Sequence, residues 1–356
     1  MPTVAALRPY EPGKPIEELE RELGIADTIK LASNENPLGP SPKAVAAMHQ
    51  ALAEVNRYPD GACWAVCNKI AAHHGVGADQ IFVAGGSVEV LNLLAFLFIR
   101  PGLNAVFSEH SFAIYALATA AAGGESKTVP MKDGFYFDLD AIAAAIDANT
   151  RIVFLDNPTN PAGTIVKRAE WERFLGRVPD HVVIVADEAY FEFVRDTDYP
   201  DSLKYHDPSR MIVTMRTFSK IFGLAGVRVG YAVARPDLVQ LLHKVRQPFN
   251  VTSLAQAAVL AGMDDDDHVR RTLENNAEGI DYLEREFRRM GLAYVPSHAN
   301  FILTEVGAGQ AVFKRLLKLG VIVRPMDGYG WPRHLRISVG LPAENRRLVE
   351  ALEKIR

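Results

Sequence analysis

The chain has 356 residues, of which 48% are hydrophobic, and its 39 lysines and arginines nearly balance its 43 aspartates and glutamates. This length predicts two domains with a large core. The charge balance excludes both the basic surface of a nucleic-acid-binding protein and a polyanionic tail. Two cysteines exclude a disulfide scaffold and predict a reducing, cytoplasmic location. We expect no signal peptide and no membrane span, because the longest apolar run, residues 90–99, is too short for a bilayer and predicts a buried helix.

Short apolar segments alternate with helical segments between about residues 80 and 235, which is typical of an α/β sheet with both faces covered. The predicted strands are residues 81–84, 105–107, 152–155, 182–186, 211–215 and 229–233. The acidic run 264–267 then predicts a helix start, because its carboxylates suit the positive end of the helix dipole. A long charged helix to about Met290, a strand around Phe301, a helix, a strand pair near Val323 and Arg336, and a terminal helix predict a second, smaller α+β domain.

The most informative segment is Thr217-Phe-Ser-Lys220, which follows a predicted buried strand and precedes Arg228 by eight residues. This places Lys220 on a loop at the end of a core strand, where its amine can bind a carbonyl group. The hydroxyls of Thr217 and Ser219 and the guanidinium of Arg228 suit a phosphate, because the guanidinium offers a bidentate fork. The segment therefore predicts a site for a phosphorylated carbonyl cofactor.

Two other loops also close apolar strands. The segment Val183-Ile-Val-Ala-Asp187 ends in Asp187, with Tyr190 three residues later, and Asn160 follows the predicted strand at 152–155. Open α/β sheets bind their ligands at the carboxyl ends of strands. We therefore expect Asp187, Tyr190 and Asn160 to lie in the same site as Lys220.

This set of side chains fits pyridoxal 5'-phosphate (PLP), which acts as an electron sink when a lysine binds its aldehyde and its pyridine nitrogen is protonated. Lys220 would bind the aldehyde and, once released, move a proton at the substrate. Asp187 would keep the ring nitrogen protonated, because a nearby opposite charge favours the charged form. Asn160 and Tyr190 suit the phenolic oxygen of the ring.

Further motifs extend this pattern in order along nearly the whole chain. They are Leu7-Arg-Pro-Tyr, Lys30-Leu-Ala-Ser-Asn-Glu-Asn-Pro, Arg57-Tyr-Pro-Asp-Gly, the three loops above, Asn300-Phe-Ile-Leu, Val321-Ile-Val-Arg-Pro and Leu335-Arg-Ile-Ser-Val-Gly. Through them the chain resembles the class I and II aminotransferases of fold type I, most closely the histidinol-phosphate aminotransferases. The resemblance implies an α/β fold with a large mixed-sheet PLP-binding domain, residues 30–262. It also implies a discontinuous smaller α+β domain, residues 1–29 and 263–356.

The resemblance assigns further cofactor contacts. The backbone amides of Ser87 and Val88, in a glycine turn at a helix start, match the phosphate cradle, although the family commonly has Asn or Asp in place of Val88. Phe112 matches an aromatic residue, more often tyrosine, that stacks on the pyridine. Tyr58 matches the residue that reaches the cofactor phosphate of the neighbouring subunit, which implies a homodimer with shared active sites.

The implied reaction is a ping-pong transamination, in which glutamate donates an amino group that passes to imidazole acetol phosphate to form histidinol phosphate. Arg336 matches the position that binds the anionic group of the substrate, and Arg324 is a second cation nearby. Tyr10 is the candidate lid residue, and Asn160 is assigned to the substrate as well as to the cofactor.

Three alternative functions remain open. The same motifs fit an aromatic-amino-acid aminotransferase, a PLP decarboxylase of a phosphorylated amino acid, or a PLP-binding sensor, although nothing resembles the DNA-binding module of a sensor. Cys63, Cys67, His73 and His74 could suggest a metal site. The cysteine spacing is wider than zinc sites usually have, so we predict an ordinary amphipathic helix and no metal.

Overall fold

The computed structural model describes residues 13–355 together with Ala5. Its main helices are α1 (Ile16–Leu23), α2 (Pro42–Ala51), α3 (Trp64–His74), α4 (Ser87–Phe98), α5 (Ile114–Ala121), α6 (Leu139–Ala145), α7 (Arg168–Leu175), α8 (Pro236–Val245), α9 (Ser253–Gly262), α10 (Asp266–Arg289), α11 (Gly309–Lys318) and α12 (Pro342–Ile355). Its strands are β1 (Ile29–Lys30), β2 (Ile81–Ala84), β3 (Asn104–Ser108), β4 (Glu125–Val129), β5 (Thr150–Asp156), β6 (Val183–Asp187), β7 (Ile212–Thr217), β8 (Gly230–Val233), β9 (Tyr294–Val295), β10 (Phe301–Glu305), β11 (Val321–Ile322), β12 (Arg324–Pro325) and β13 (His334–Ser338).

Seven strands form the larger sheet, in the order β2-β8-β7-β6-β5-β3-β4. Strand β8 runs antiparallel to both of its neighbours, and the other neighbouring pairs are parallel. The six predicted strands are confirmed within a few residues at their ends. The prediction of an α/β fold with a mixed sheet is likewise confirmed.

Both faces of the central strands of this sheet are buried, because alternate residues of such a strand enter different cores. Val183 and Val185 of β6 pack in one core with α4 and α8, whereas Ile184 and Ala186 of the same strand pack in another with α6 and α7. Strands β5, β6 and β7 each end in a polar residue, namely Asp156, Asp187 and Thr217. The predicted helix at 90–99 is confirmed as part of α4, which ends at Phe98, but it is buried on one face only, since Phe96 is 70% exposed.

A second, antiparallel sheet has the order β12-β13-β10-β9, and β1 pairs separately with β11. Ile29 and Leu31 pack with residues of α10, α12, β10 and β13 in one core, so the segment around β1 joins the carboxyl-terminal part of the chain. The predicted helix start at 264–267 is confirmed, since the Asp265 side chain accepts the backbone N–H of His268. The domain boundaries inferred from the resemblance stay a prediction.

The sequence predicts no membrane span, and the lengths and hydropathies of the helices bear on this prediction. Within residues 13–355, every helix is too short or too polar to span a bilayer.

Candidate active site

A cavity of about 200 Å³ lies where β5, β6 and β7 end, between the two sheets. Every predicted site residue except Tyr10 and Tyr58 lines it: Ser87, Val88, Phe112, Asn160, Asp187, Tyr190, Thr217, Ser219, Lys220, Arg228, Arg324 and Arg336. The chain also contributes Gly13, Ala32, Ser33, Asn34, Asp156, Ala189 and Ala225 to the lining. The structure thus gathers one site from segments that are up to three hundred residues apart.

One wall of the cavity is formed where β2 turns into α4. Gly86 has φ +93°, a left-handed conformation that suits glycine, and a Cβ atom there would lie 2.5 Å from Nη2 of Arg228. Arg228 is itself held at φ +58°, and its Nη1 donates to the carbonyl of Ala225 at 2.9 Å. The N-terminal amides of α4, which begin at Ser87, therefore lie beside a guanidinium, and such a helix terminus binds anions well.

Asp187 is the last residue of β6 and is 4% exposed. Its Oδ2 atom accepts a hydrogen bond from the hydroxyl of Tyr115 at 3.1 Å, while its buried Oδ1 atom has no hydrogen-bond partner among the described residues. Burial raises the pKa of Asp187 to about 6, although the bond from Tyr115 and the charge of Lys220 act in the opposite direction. An unpartnered carboxylate oxygen in a cavity favours binding of a cationic N–H group.

Lys220 follows β7 by three residues, and its Nζ atom lies 3.3 Å from the carbonyl oxygen of Ser33. Burial and, next in size, the charge of the neighbouring cation Arg336 together lower the pKa of Lys220 to about 8. Its amine is therefore neutral, and nucleophilic, over a lower pH range than a surface lysine.

A hydrogen-bonded chain connects the second sheet to the first. Arg336 of β13 donates to Oδ1 of Asn160 at 2.5 Å and to the carbonyl of Ala32 at 2.8 Å. The hydroxyl oxygen of Tyr190 accepts from Nδ2 of Asn34 at 2.9 Å and from Nδ2 of Asn160 at 3.4 Å. Because two donors occupy that oxygen, the hydroxyl proton of Tyr190 is left to donate to a ligand in the cavity.

Arg324 and Arg336 are register partners on the neighbouring strands β12 and β13. Both line the cavity, so two guanidinium groups of the second sheet face residues of the first. Arg336 is 7% exposed, and its Nε atom is buried without a hydrogen-bond partner in the described part of the chain. This pair gives the cavity an anion-binding wall.

Two predicted residues lie elsewhere. Tyr58 is 81% exposed and stacks on Phe249, with the ring centroids 4.6 Å apart, so the structure does not bring it into the cavity of its own chain. Tyr10 lies outside the described residues.

The sequence reasoning did not identify three polar residues of the site. Tyr115 contacts Asp187, Asn34 contacts Tyr190, and Asp156 lines the cavity beside Asn160. Asn34 lies in the motif that begins at Lys30, and this motif is one of those on which the family resemblance is based. Tyr115 lies in an apolar helix and gave no signal of its own.

A buried ion pair lies next to the site, at the carboxyl ends of β6 and β7. Arg216, on β7, donates to Oε2 of Glu188 at 2.8 and 3.0 Å and to Oδ1 of Asp201 at 2.8 Å. Its guanidinium also lies 3.5 Å from the ring centroid of Phe191. Since Glu188 follows Asp187, this pair joins the ends of β6 and β7, which carry the residues of the cavity.

The residues considered for a metal site have other contacts. Cys63 and Cys67 are free and buried, and His74 Nε2 lies 2.7 Å from the Tyr231 hydroxyl. Within residues 13–355 we find no group of three or more His, Cys, Asp or Glu side chains placed to hold a metal ion.

Comparison with known proteins identifies the family. The sequence model of aminotransferase class I and II matches residues 26–352, and the chain belongs to this family. The predicted resemblance and the prediction of an aminotransferase are therefore confirmed.

Individual relatives are more specific. The chain is 50% identical over 354 residues to the histidinol-phosphate aminotransferase of Akkermansia muciniphila, covering 99% of this chain and 97% of that one. It is 49% identical to histidinol-phosphate aminotransferase 2 of Pseudomonas fluorescens strain Pf0-1, over 99% of this chain and 96% of the relative. Among solved structures, the histidinol-phosphate aminotransferase of Sinorhizobium meliloti in complex with pyridoxal-5'-phosphate matches with a TM-score of 0.90 and 27% identity, over 100% of this chain and 98% of that chain.

Proposed function

We propose that this chain is a PLP-dependent aminotransferase that exchanges an amino group between glutamate and imidazole acetol phosphate, forming 2-oxoglutarate and histidinol phosphate for histidine biosynthesis. The full-length relatives that carry the name histidinol-phosphate aminotransferase support this substrate. The observation that carries the proposal is that the half-buried Lys220, the buried carboxylate of Asp187 and three arginines line one cavity.

The cavity fits PLP in three respects. The unpartnered Oδ1 atom of Asp187 suits a protonated pyridine nitrogen. The close approach of Gly86 to Arg228, and of Gly230 to the amide of Ser87, leaves the backbone and the guanidinium free of side-chain bulk where a phosphate would bind. Lys220 lines the same cavity and suits the aldehyde.

Bound PLP supplies an electron sink for negative charge that develops on the substrate carbon. In this proposal Asp187 holds the proton on the ring nitrogen, and its burial strengthens that charge pair. Tyr190 donates its hydroxyl proton, and Asn160 an amide N–H, to the phenolic oxygen. Lys220 would hold the aldehyde and, as a free amine, would move a proton at the substrate carbon.

The remaining residues hold the cofactor and the substrate. The amides of Ser87 and Val88 and the side chains of Thr217, Ser219 and Arg228 would bind the phosphate, and Phe112 would stack on the ring. Arg336 would bind the carboxylate of glutamate or the phosphate of the other substrate, with Arg324 as a second cation.

The assembly is part of the proposal. We infer a cytoplasmic homodimer in which Tyr58 of each subunit contacts the cofactor phosphate bound by the other. Exposure of the stacked Tyr58 and Phe249 rings, together with that of Trp64, supports an interface on this side of the molecule. The domain boundaries given above, 30–262 and 1–29 with 263–356, belong to the same proposal.

Two measurements test the proposal. Borohydride reduction of the PLP-loaded protein and peptide mapping should find the cofactor on Lys220, and Lys220→Ala should lose this product while the exposed Lys204→Ala keeps it. A comparison of kcat/KM for histidinol phosphate, phenylalanine and tyrosine, each with 2-oxoglutarate, should favour histidinol phosphate. A clear preference for phenylalanine would replace the proposed substrate by an aromatic amino acid.

A further inference from the structure

The site contains a second buried carboxyl group, Asp156, beside Asp187. The two residues are Cα partners at the ends of the parallel strands β5 and β6, so their side chains leave the same face of the sheet. Both are 4% exposed and both line the cavity. They are the only acidic residues of the described part of the chain that do so.

The contacts of the two carboxyl groups differ. Asp187 accepts a bond from the Tyr115 hydroxyl and is stabilised in its charged form by Lys220. The Oδ2 atom of Asp156 accepts the backbone N–H of Asn160, at 2.7 Å. Its Oδ1 atom is buried and has no hydrogen-bond partner within residues 13–355.

Two neighbouring buried carboxyl groups do not both ionise readily, because each negative charge opposes the other in a poorly solvated space. Burial holds the pKa of Asp156 well above its usual range, and the charge of Asp187 raises it further. The other titratable or charged side chains around the cavity are those of Tyr115, Tyr190, Lys220, Arg228, Arg324 and Arg336. Within residues 13–355, the side chains of Tyr115, Tyr190, Lys220, Arg228 and Arg336 form no hydrogen bond or ion pair with Asp156.

We propose that Asp156 is a positioning residue that carries a proton on Oδ1 and donates it as a hydrogen bond into the cofactor cavity, which leaves Asp187 as the single carboxylate there. This inference rests on the proposed function for its ligand. Because Asp156 is neutral, Asp187 supplies the single negative charge opposite the ring nitrogen. The O–H group of Asp156 adds a hydrogen-bond donor on the side of the cavity where Asn160 lies.

Infrared difference spectroscopy tests the protonation directly. The spectrum of the wild-type PLP-loaded protein minus that of Asp156→Asn, at neutral pH, should contain the carbonyl band of a protonated carboxylic acid. The matched spectrum with Asp187→Asn in place of Asp156→Asn should instead contain carboxylate bands. A carboxylate signal lost in Asp156→Asn would overturn the proposal.

Stability without the cofactor gives a second, independent measurement. A group whose folded pKa is raised stabilises the fold below its unfolded pKa of about 4, and this contribution is lost as pH rises through the folded pKa. The side chain of Asp156→Asn cannot ionise, so this variant does not lose stability in this way. Its free energy of unfolding should therefore exceed the wild-type value by an amount that grows as pH rises above about 4. The exposed Asp180→Asn controls for net charge. A constant difference between Asp156→Asn and wild type across pH would contradict a buried acid.

The donor role is tested by cofactor affinity. Asp156→Ala, which removes the donor, should weaken PLP binding about tenfold, since one hydrogen bond contributes on this order. Asp156→Asn, which replaces O–H by N–H, should recover most of that loss. Equal losses in the two variants would rule out a donor. If wild type does not bind PLP, the proposed function fails, whereas infrared spectra and unfolding of the ligand-free protein still decide whether Asp156 holds a proton.

Discussion

The hydroxyl of Tyr115, on α5, donates to Oδ2 of Asp187 at a distance of 3.1 Å, and both side chains are buried. Tyr115 also stacks on Phe154, with the ring planes 3° apart and the centroids separated by 4.8 Å. The phenol is thus held in place from its flat side while its hydroxyl orients the carboxylate. Asp187 is therefore positioned before any ligand binds.

Tyr115→Phe should lower kcat about tenfold or more with a smaller effect on KM. The hydroxyl stabilises the charged form of Asp187, and a bond to a charged group contributes about 1.5–3 kcal/mol. Steady-state kinetics across pH would measure this, since the variant should also raise the pKa of Asp187. Tyr231→Phe is a matched control, because its buried hydroxyl contacts His74 on the far side of the sheet. Wild-type kcat in Tyr115→Phe would show that the contact has no part in catalysis.

The pKa of Lys220, lowered to about 8 by burial and by Arg336, predicts how the ligand-free protein captures PLP. The neutral amine is the attacking form, so the rate of covalent capture should rise with pH through about 8 and then level off. Stopped-flow absorbance would follow it.

Arg336→Ala should move the midpoint of that rate profile to higher pH, because removal of a neighbouring cation favours protonated Lys220. The prediction is wrong if the wild-type midpoint lies near that of a free lysine, about 10.4.

The paired arginines predict a difference between substrates. Arg336→Ala should reduce kcat/KM about 30-fold or more for both glutamate and histidinol phosphate, because a desolvated charge contact contributes about 2–5 kcal/mol. Arg324→Ala should impair histidinol phosphate more than phenylalanine, since a phosphate can use a second cation and a phenyl ring cannot. Equal losses for these two substrates in Arg324→Ala would remove the phosphate-specific role.

The ion pair behind the site predicts an effect on stability. Arg216→Met should lower the free energy of unfolding by about 3–5 kcal/mol, because it leaves Glu188 buried without its cation. Arg235→Met, which breaks the exposed pair with Asp237, should change it by at most about 1 kcal/mol. Urea unfolding of both variants measures the contrast, and similar small losses in the two would mean that the buried pair is weak.

The proposed shared site makes Tyr58 testable. Tyr58→Phe should bind PLP less tightly, because it removes a hydroxyl from the phosphate held by the other subunit. The partly exposed Tyr136→Phe serves as the control. Unchanged affinity in Tyr58→Phe, or an active monomer by light scattering, would count against a shared site.

Most of the fold and the cavity followed from the sequence for a physical reason. Buried parallel strands such as β6 are continuous apolar runs, and a polar residue that ends such a run, as Asp187 does, marks the edge where ligands bind. Strand β4 was not predicted, because four of its five residues are polar or charged and it lies at the edge of the sheet.

Contacts between distant side chains could not be predicted in the same way. Nothing in the apolar helix around Tyr115 indicates that its hydroxyl reaches Asp187, since that depends on how α5 packs on the sheet. The proton proposed for Asp156 depends on strand register, because only the pairing of β5 with β6 places it beside Asp187.

The bonds between Asn34 and Ser338 have a consequence for protein synthesis. The backbone amide of Asn34 donates to Oγ of Ser338 at 2.8 Å, and that hydroxyl donates to Oδ1 of Asn34 at 2.9 Å, across 304 residues of sequence. A chain emerging from the ribosome therefore cannot form these two hydrogen bonds until residue 338 has left the ribosome. Arg336, the proposed ligand of the substrate anion, lies on the same strand β13 as Ser338. A nascent chain would therefore gain this proposed contact only after β13 has docked.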